Sequence, residues 1–179
     1  MDKTELRKIV RAAKKAVPLE EKIHRSQPIM QQVEQLASFC KAKTVLLYWS
    51  MDDEVYTHDF VNRWYKEKCL LLPCVEGDDL LLRHYTGPDS LQPGPQFGIP
   101  EPVGPVFQEL DRIDMIVVPG VAFDRNRNRM GRGRGFYDRL LKSTPSAVKV
   151  GVAFSFQIFD TIPTEPFDVP MDEVVSEKN

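Results

Sequence analysis

MIVVPGVAFDRNRNRMGRGRGFYDRLLK, residues 115–142, decides the fold. Its first nine residues, 115–123, form a continuous apolar run rich in β-formers. Such a run reads as a strand buried on both faces. A Gly/Arg loop follows, then a short helix, FYDRLLK. The same alternation extends outward in both directions. Downstream, VKVGVAFS (148–155) reads as a strand and MDEVV (171–175) as a last edge strand. Upstream, TVLLYWS (44–50), CLLLPCV (69–75) and DLLLRHYT (79–86) are strands, with a helix capped by Thr57 running through residue 68. Residues 3–16 carry Leu6, Ile9, Val10 and Ala13 at helical spacing. Pro18 closes that helix, and a second opens with LEEKIHRS. Pro28 is expected to kink or restart it. Ile29, Val33, Leu36 and Ala37 then mark an apolar face up to about Phe39. Strands that alternate with helices, each continuously apolar, indicate a mostly parallel α/β sheet covered on both faces.

In such a fold, ligands bind beyond the carboxyl ends of the strands. That rule singles out Ser50 to Glu54, Pro73 to Glu76, and Gly120 to Asp138. Residues 87–110 hold six prolines and four glycines, too much punctuation for an idle loop in a compact domain.

Composition narrows the classes. The chain has 179 residues and 20.5 kDa, the size of one domain. At 42% hydrophobic and 28% charged residues it is neither disordered nor fibrous. No apolar run approaches the ~20 residues of a membrane span. The N-terminal stretch lacks the apolar region of a secretory signal. The net charge of −2 excludes a globally basic nucleic-acid coat. Cys40, Cys69 and Cys74 are odd in number and contain no CxxC, so a reduced, cytoplasmic setting is expected. His24, His58 and His84 are scattered, and no zinc site is readable.

Chemistry concentrates in GVAFDRNRNRMGRGRGFYD, residues 120–138. Gly131, Gly133 and Gly135 alternate with Arg132 and Arg134. The glycines let backbone amides approach a ligand closely, and successive amides form an anion-binding nest. The interleaved guanidinium groups match phosphate oxygens. Asp138 is placed to hold a divalent cation beside those phosphates. Neither a GxxxxGK[ST] loop nor a GxGxxG fingerprint is present. The turn therefore reads as a polyphosphate or nucleotide site; the alternative is a basic turn in contact with RNA phosphates.

The run GxxFDxxxxRxGRGxGFYD closely resembles the pattern of the 5-formyltetrahydrofolate cyclo-ligase family. Further blocks resemble that family in the same order: Lys3 with Leu6-Arg7, YWSMDDEVYT (48–57), LPCV (72–75), FGIPEP (97–102) and FDVPMDEVV (167–175). The resemblance implies one cyclo-ligase domain over 1–179, a three-layer α/β/α sandwich with Rossmann-like topology. It implies ATP and Mg2+ as the means of closing 5-formyltetrahydrofolate to 5,10-methenyltetrahydrofolate. It implies a monomer acting on a small molecule, with no nucleic acid and no membrane. By resemblance, ATP is bound by Lys3, Arg7, Arg129, Gly131, Arg132, Gly133, Arg134, Gly135, Phe136 and Tyr137. Arg132 and Arg134 carry catalysis. Trp49, Glu54 and Phe97 bind the folate together with Arg132 to Phe136, and Asp138 and Asp168 hold the metal. Asp124 is expected to orient the loop. Phe136 stands where Tyr is common in the family, one hydroxyl fewer.

Overall fold

The apolar runs become one six-stranded sheet in the computed structural model, which describes residues 1–95 and 98–177. Phe97 lies outside the described residues. The strands of the main sheet are β1 (Thr44–Leu46), β2 (Cys69–Glu76), β3 (Asp79–His84), β6 (Met115–Val118), β9 (Val148–Val152) and β11 (Glu173–Val175). They lie in the order β11-β9-β6-β1-β2-β3, and only β3 runs antiparallel to its neighbour. Two short strands, β4 (Leu91–Pro93) and β5 (Pro100–Pro102), form a hairpin inside the proline-rich segment. Three others, β7 (Ala122–Asp124), β8 (Arg129–Met130) and β10 (Ile158–Phe159), make a separate small sheet.

The expected strand over 115–123 is thus split. Pro119 has no N–H to continue the ladder, and the chain turns through Gly120 out of the main sheet into β7. The runs 44–50 and 148–155 also pair over shorter lengths than their apolar extent. Beyond Leu46, the Leu47 N–H still donates to the Leu71 carbonyl at 2.9 Å.

The sheet is buried on both faces. Val45, Leu70, Leu72, Val117 and Val150 point to one side, where they meet α2 (Leu19–Gln35) and α4 (His58–Trp64). Leu46, Leu71, Ile116 and Val118 point to the other, against Leu140 and Leu141 of α5 (Phe136–Lys142). Alternate residues of each strand therefore serve opposite layers, which explains the unbroken apolar runs. Between α2 and β1 lies the short helix α3 (Ala37–Lys41).

Pro28 does not break α2, which is continuous across it. An interior Pro costs about 3 kcal/mol. Ile29, Met30 and Val33 just beyond it are buried at 0–6% exposure, and each contributes about 1.5–3 kcal/mol. Packing outweighs the defect.

The first helix, α1 (Lys3–Lys15), opens with a capping box between Asp2 and Glu5. Leu6 and Val10 dock it on Val121, Ala122, Met130 and Ile162 of the small sheet and its surroundings. This docking places α1 beside the Gly/Arg turn rather than in the sheet layers. Among the described residues no helix is long and apolar enough to cross a membrane.

Candidate active site

The chain leaves β1 towards β2 on one side and β6 towards β9 on the other, so the gap between β1 and β6 is the topological switch point. A cavity of about 650 Å³ opens there. Its wall holds every residue expected at the site except Phe97, which is not described. Lys3 and Arg7 come from α1, Trp49 and Glu54 from the segment after β1, Arg129 to Asp138 from the turn, and Asp168 from the C-terminal segment.

The turn is built around a buried arginine. Arg129 is 6% exposed, and its Nε donates to the Pro119 carbonyl at 2.7 Å. One terminal nitrogen lies 3.8 Å from Asp138, and the guanidinium covers the Tyr137 ring at 5.1 Å. A side chain at Gly131 would meet this guanidinium at 3.1 Å, so any larger residue would have to push the arginine aside. Gly133 and Gly135 have φ of 103° and 73°, values that other residues rarely adopt. Gly135 is the N-cap residue of α5. The Arg7 Nε reaches across to the Gly131 carbonyl at 3.3 Å, tying α1 to the turn. Arg134 is exposed and lies over the Phe136 ring at 5.1 Å.

Asp124 proves to be a loop organiser. Its carboxylate accepts from the amides of Asn126 and Asn128 at 2.9 Å, from the Asn128 side chain and from the amide of Ile162. It is 3% exposed and does not line the cavity.

Two carboxylates flank one end. Asp168 accepts from the Glu165 amide at 2.8 Å, and its side chain, 10% exposed, lies 3.8 Å from Lys3. Burial pushes the Asp138 carboxyl up; Arg129 works downward and the charge of Asp168 adds to the rise. The two acids therefore feel each other. Among the described residues no cluster of three or more His, Cys, Asp or Glu side chains could hold a metal alone. Two carboxylates fit a Mg2+ ion that takes its other ligands from phosphate and water.

Glu54 stands at the opposite end. The tight turn after β1 fixes it: its Oε1 accepts from the Met51 amide at 2.9 Å, and its own amide returns to the Met51 carbonyl. Burial pushes its carboxyl above the usual range, against the Met51 amide and Arg132. Its Oε2 lies 3.9 Å from Arg132, so the two ends of the cavity meet at that residue. Trp49 stacks on His58 with ring centres 3.8 Å apart. The His58 Nε2 contacts the Ser50 carbonyl at 2.8 Å, which makes it the protonated nitrogen. Thr57 does not cap α4 with its side chain. Its hydroxyl donates to the Tyr48 carbonyl at 2.5 Å and accepts from the Ser50 amide, closing the loop that carries Trp49 and Glu54.

Sequence reasoning missed several residues here. Tyr48, Ile99, Glu101 and Phe167 also line the cavity. Asp53 and Lys14 lie behind Arg132, with Asp53 3.2 Å from it and 3.8 Å from Lys14. All but Lys14 lie within the family-like blocks without having been singled out there, and Lys14 carries a signal of its own. It falls eleven residues after Lys3, three helical turns on, hence on the same stripe of α1.

Comparison with known proteins shows the family. The model of the 5-formyltetrahydrofolate cyclo-ligase family matches residues 1–177. The 5-formyltetrahydrofolate cyclo-ligase of Haemophilus influenzae is 35% identical over 157 residues, covering 83% of each chain. The solved structure of Aquifex aeolicus 5,10-methenyltetrahydrofolate synthetase superimposes with a TM-score of 0.89 at 42% identity, covering all of this chain and 91% of that one. The Mycoplasma pneumoniae 5,10-methenyltetrahydrofolate synthetase gives 0.80 at 29% identity and 99% coverage of both chains. With its mostly parallel sheet, its glycine–arginine turn and this match over nearly its full length, the chain belongs to the 5-formyltetrahydrofolate cyclo-ligase family of enzymes.

Proposed function

We propose that this cavity closes 5-formyltetrahydrofolate to 5,10-methenyltetrahydrofolate with MgATP, releasing ADP and phosphate. The observation that carries this reading is the meeting of two subsites in one cavity. The phosphate-binding turn and the Glu54 carboxylate come within 3.9 Å of each other through Arg132.

A formamide carbon is a poor electrophile, and its oxygen is a poor leaving group. The formyl oxygen attacks the γ-phosphorus, the bond to the bridging oxygen breaks, and ADP departs. N10 then adds to the activated carbon and loses its proton. The carbon–oxygen bond breaks, and phosphate leaves as the ring closes. Little covalent help is required, because phosphoryl transfer is mainly positioning and charge stabilisation.

The chain's residues supply both. The amides around Gly131, Gly133 and Gly135 cradle the triphosphate, with Lys3, Arg7 and Arg129 as fixed positive charge around it. Phe136 and Tyr137 wall the turn. Arg132 and Arg134 reach for the transferring phosphoryl group; one well-placed arginine is worth ~10³ or more in rate. Glu54 accepts two N–H donors from the aminopyrimidinone ring, and Trp49 lines its slot, held flat by His58. Phe97 is assigned to the folate wall by resemblance alone. Asp138 and Asp168 would hold Mg2+, which supplies charge neutralisation to the phosphates when bound. A cavity of about 650 Å³ suits a small molecule.

Purified protein given 5-formyltetrahydrofolate and MgATP should show rising absorbance from the methenyl product. Folded protein without that signal would refute the reading. Replacing Glu54 by Gln puts an amide where an anion met two donors. Hydrogen bonds to a charge are worth about 1.5–3 kcal/mol, so the KM for folate should rise roughly 10- to 100-fold with a smaller change in kcat. Because burial raises the Glu54 carboxyl, it takes up a proton sooner than an ordinary glutamate as pH falls. The wild-type KM for folate should therefore climb on the acid side, and the Gln variant should lose that slope.

A further inference from the structure

We propose that Asp53 is a positioning residue that clamps the Arg132 guanidinium at the junction of the folate and phosphate subsites, and that Lys14 of α1 fixes Asp53 in turn. This rests on the cyclo-ligase reading and adds to it a part that acts through Arg132.

Arg132 sits on the most permissive stretch of the chain, between Gly131 and Gly133. Left alone, a half-exposed arginine there would sample many positions. One terminal nitrogen donates to both oxygens of Asp53, each at 3.2 Å, and lies 3.9 Å from Glu54. Asp53 faces Lys14 on its other side at 3.8 Å. Lys14 is 6% exposed despite its charge, an unusual place for lysine unless it is paired. Burial works upward on the Asp53 carboxyl, but Lys14 and Arg132 outweigh it and hold it below the usual range, so it stays ionised. When the pterin takes up Glu54, Asp53 remains to hold the arginine. Through Arg7 on Gly131 and Lys14 on Asp53, α1 thus braces both sides of Arg132.

Asp53 and Arg132 are 42% and 50% exposed at their side chains. Exposed pairs add little to folding, so the effect belongs in turnover. Asp53→Asn should lower kcat about tenfold or more, as misplaced reacting groups do. The KM for folate should stay within about twofold, and the melting temperature should fall by a few degrees, because the buried Lys14 loses its carboxylate partner. In a cycle with Arg132→Lys, the double variant should be little slower than Arg132→Lys alone, because Asp53 has lost the group it positions. Additive losses with an active wild-type enzyme would overturn this inference and leave the functional reading intact. An inactive wild-type enzyme would sink both.

Discussion

Asp138→Asn is expected to lower turnover at least about 100-fold while lowering the melting temperature at pH 7 less than Arg129→Met does. The carboxylate is the anionic member of the turn, placed beside Asp168 and 3.8 Å from Arg129. Asn keeps the size and one acceptor oxygen but loses the charge that would hold a divalent cation against the phosphates. Loss of a metal-held phosphate clamp removes several kcal/mol of transition-state stabilisation. Stability is less affected. Burial raises the Asp138 carboxyl above its ordinary value, so the folded chain holds this proton more tightly than the unfolded chain. Its contribution to stability is therefore lost as pH rises through the carboxylate range, and at neutral pH the charge opposes folding. Removing that charge relieves the opposition and offsets part of what the buried Arg129 loses with its partner. Saturating MgATP should raise the melting temperature of the wild type and much less that of the variant. Near-normal turnover in Asp138→Asn would show that the metal assignment is wrong.

Arg129→Met should cost more stability and as much activity. Methionine can fill much of the buried space, but it leaves the Pro119 carbonyl without its donor and Asp138 without the cation 3.8 Å away. Removing one partner of a buried pair costs about 3–5 kcal/mol. Asp138, 18% exposed at its side chain, retains some water, which favours the lower end. A loss of about 3 kcal/mol lowers the melting temperature of a chain this size by about 6–12 °C. Turnover should fall with it, because the turn loses the guanidinium floor over which Gly131 passes at close range. A stable Arg129→Met variant with full activity would mean that the turn does not depend on this arginine. The two variants thus separate functional charge from structural charge within nine residues of one turn.

How much of this was legible in the sequence depended on how local each signal was. The parallel sheet was readable because strands buried on both faces must be apolar at every position, and Val45, Leu46, Ile116 and Val117 are so. The glycine turn was readable because Gly131, Gly133 and Gly135 lie within five residues of one another. Strand ends were not readable. MIVVPGVAF looks like one strand, and only the ladder shows that Pro119 turns it into a second sheet. Pro28 misled in the other direction, since its local defect is overruled by contacts from strands far along the chain. Glu54, Asp168, Lys3 and Arg7 had no distinguishing local pattern and were singled out by family resemblance. Asp53 fell inside the segment after β1 that the fold rule and the family-like block marked, but nothing there set it apart from Asp52. Its part depends on Lys14, 39 positions earlier, and Arg132, 79 positions later, meeting in space.

The most direct test of oxygen activation follows one atom. With 18O in the formyl group of 5-formyltetrahydrofolate, phosphate released during MgATP-driven cyclisation should carry one 18O per methenyl product formed. Unlabelled phosphate, with the label lost to water, would contradict phosphorylation of the formyl oxygen in this cavity.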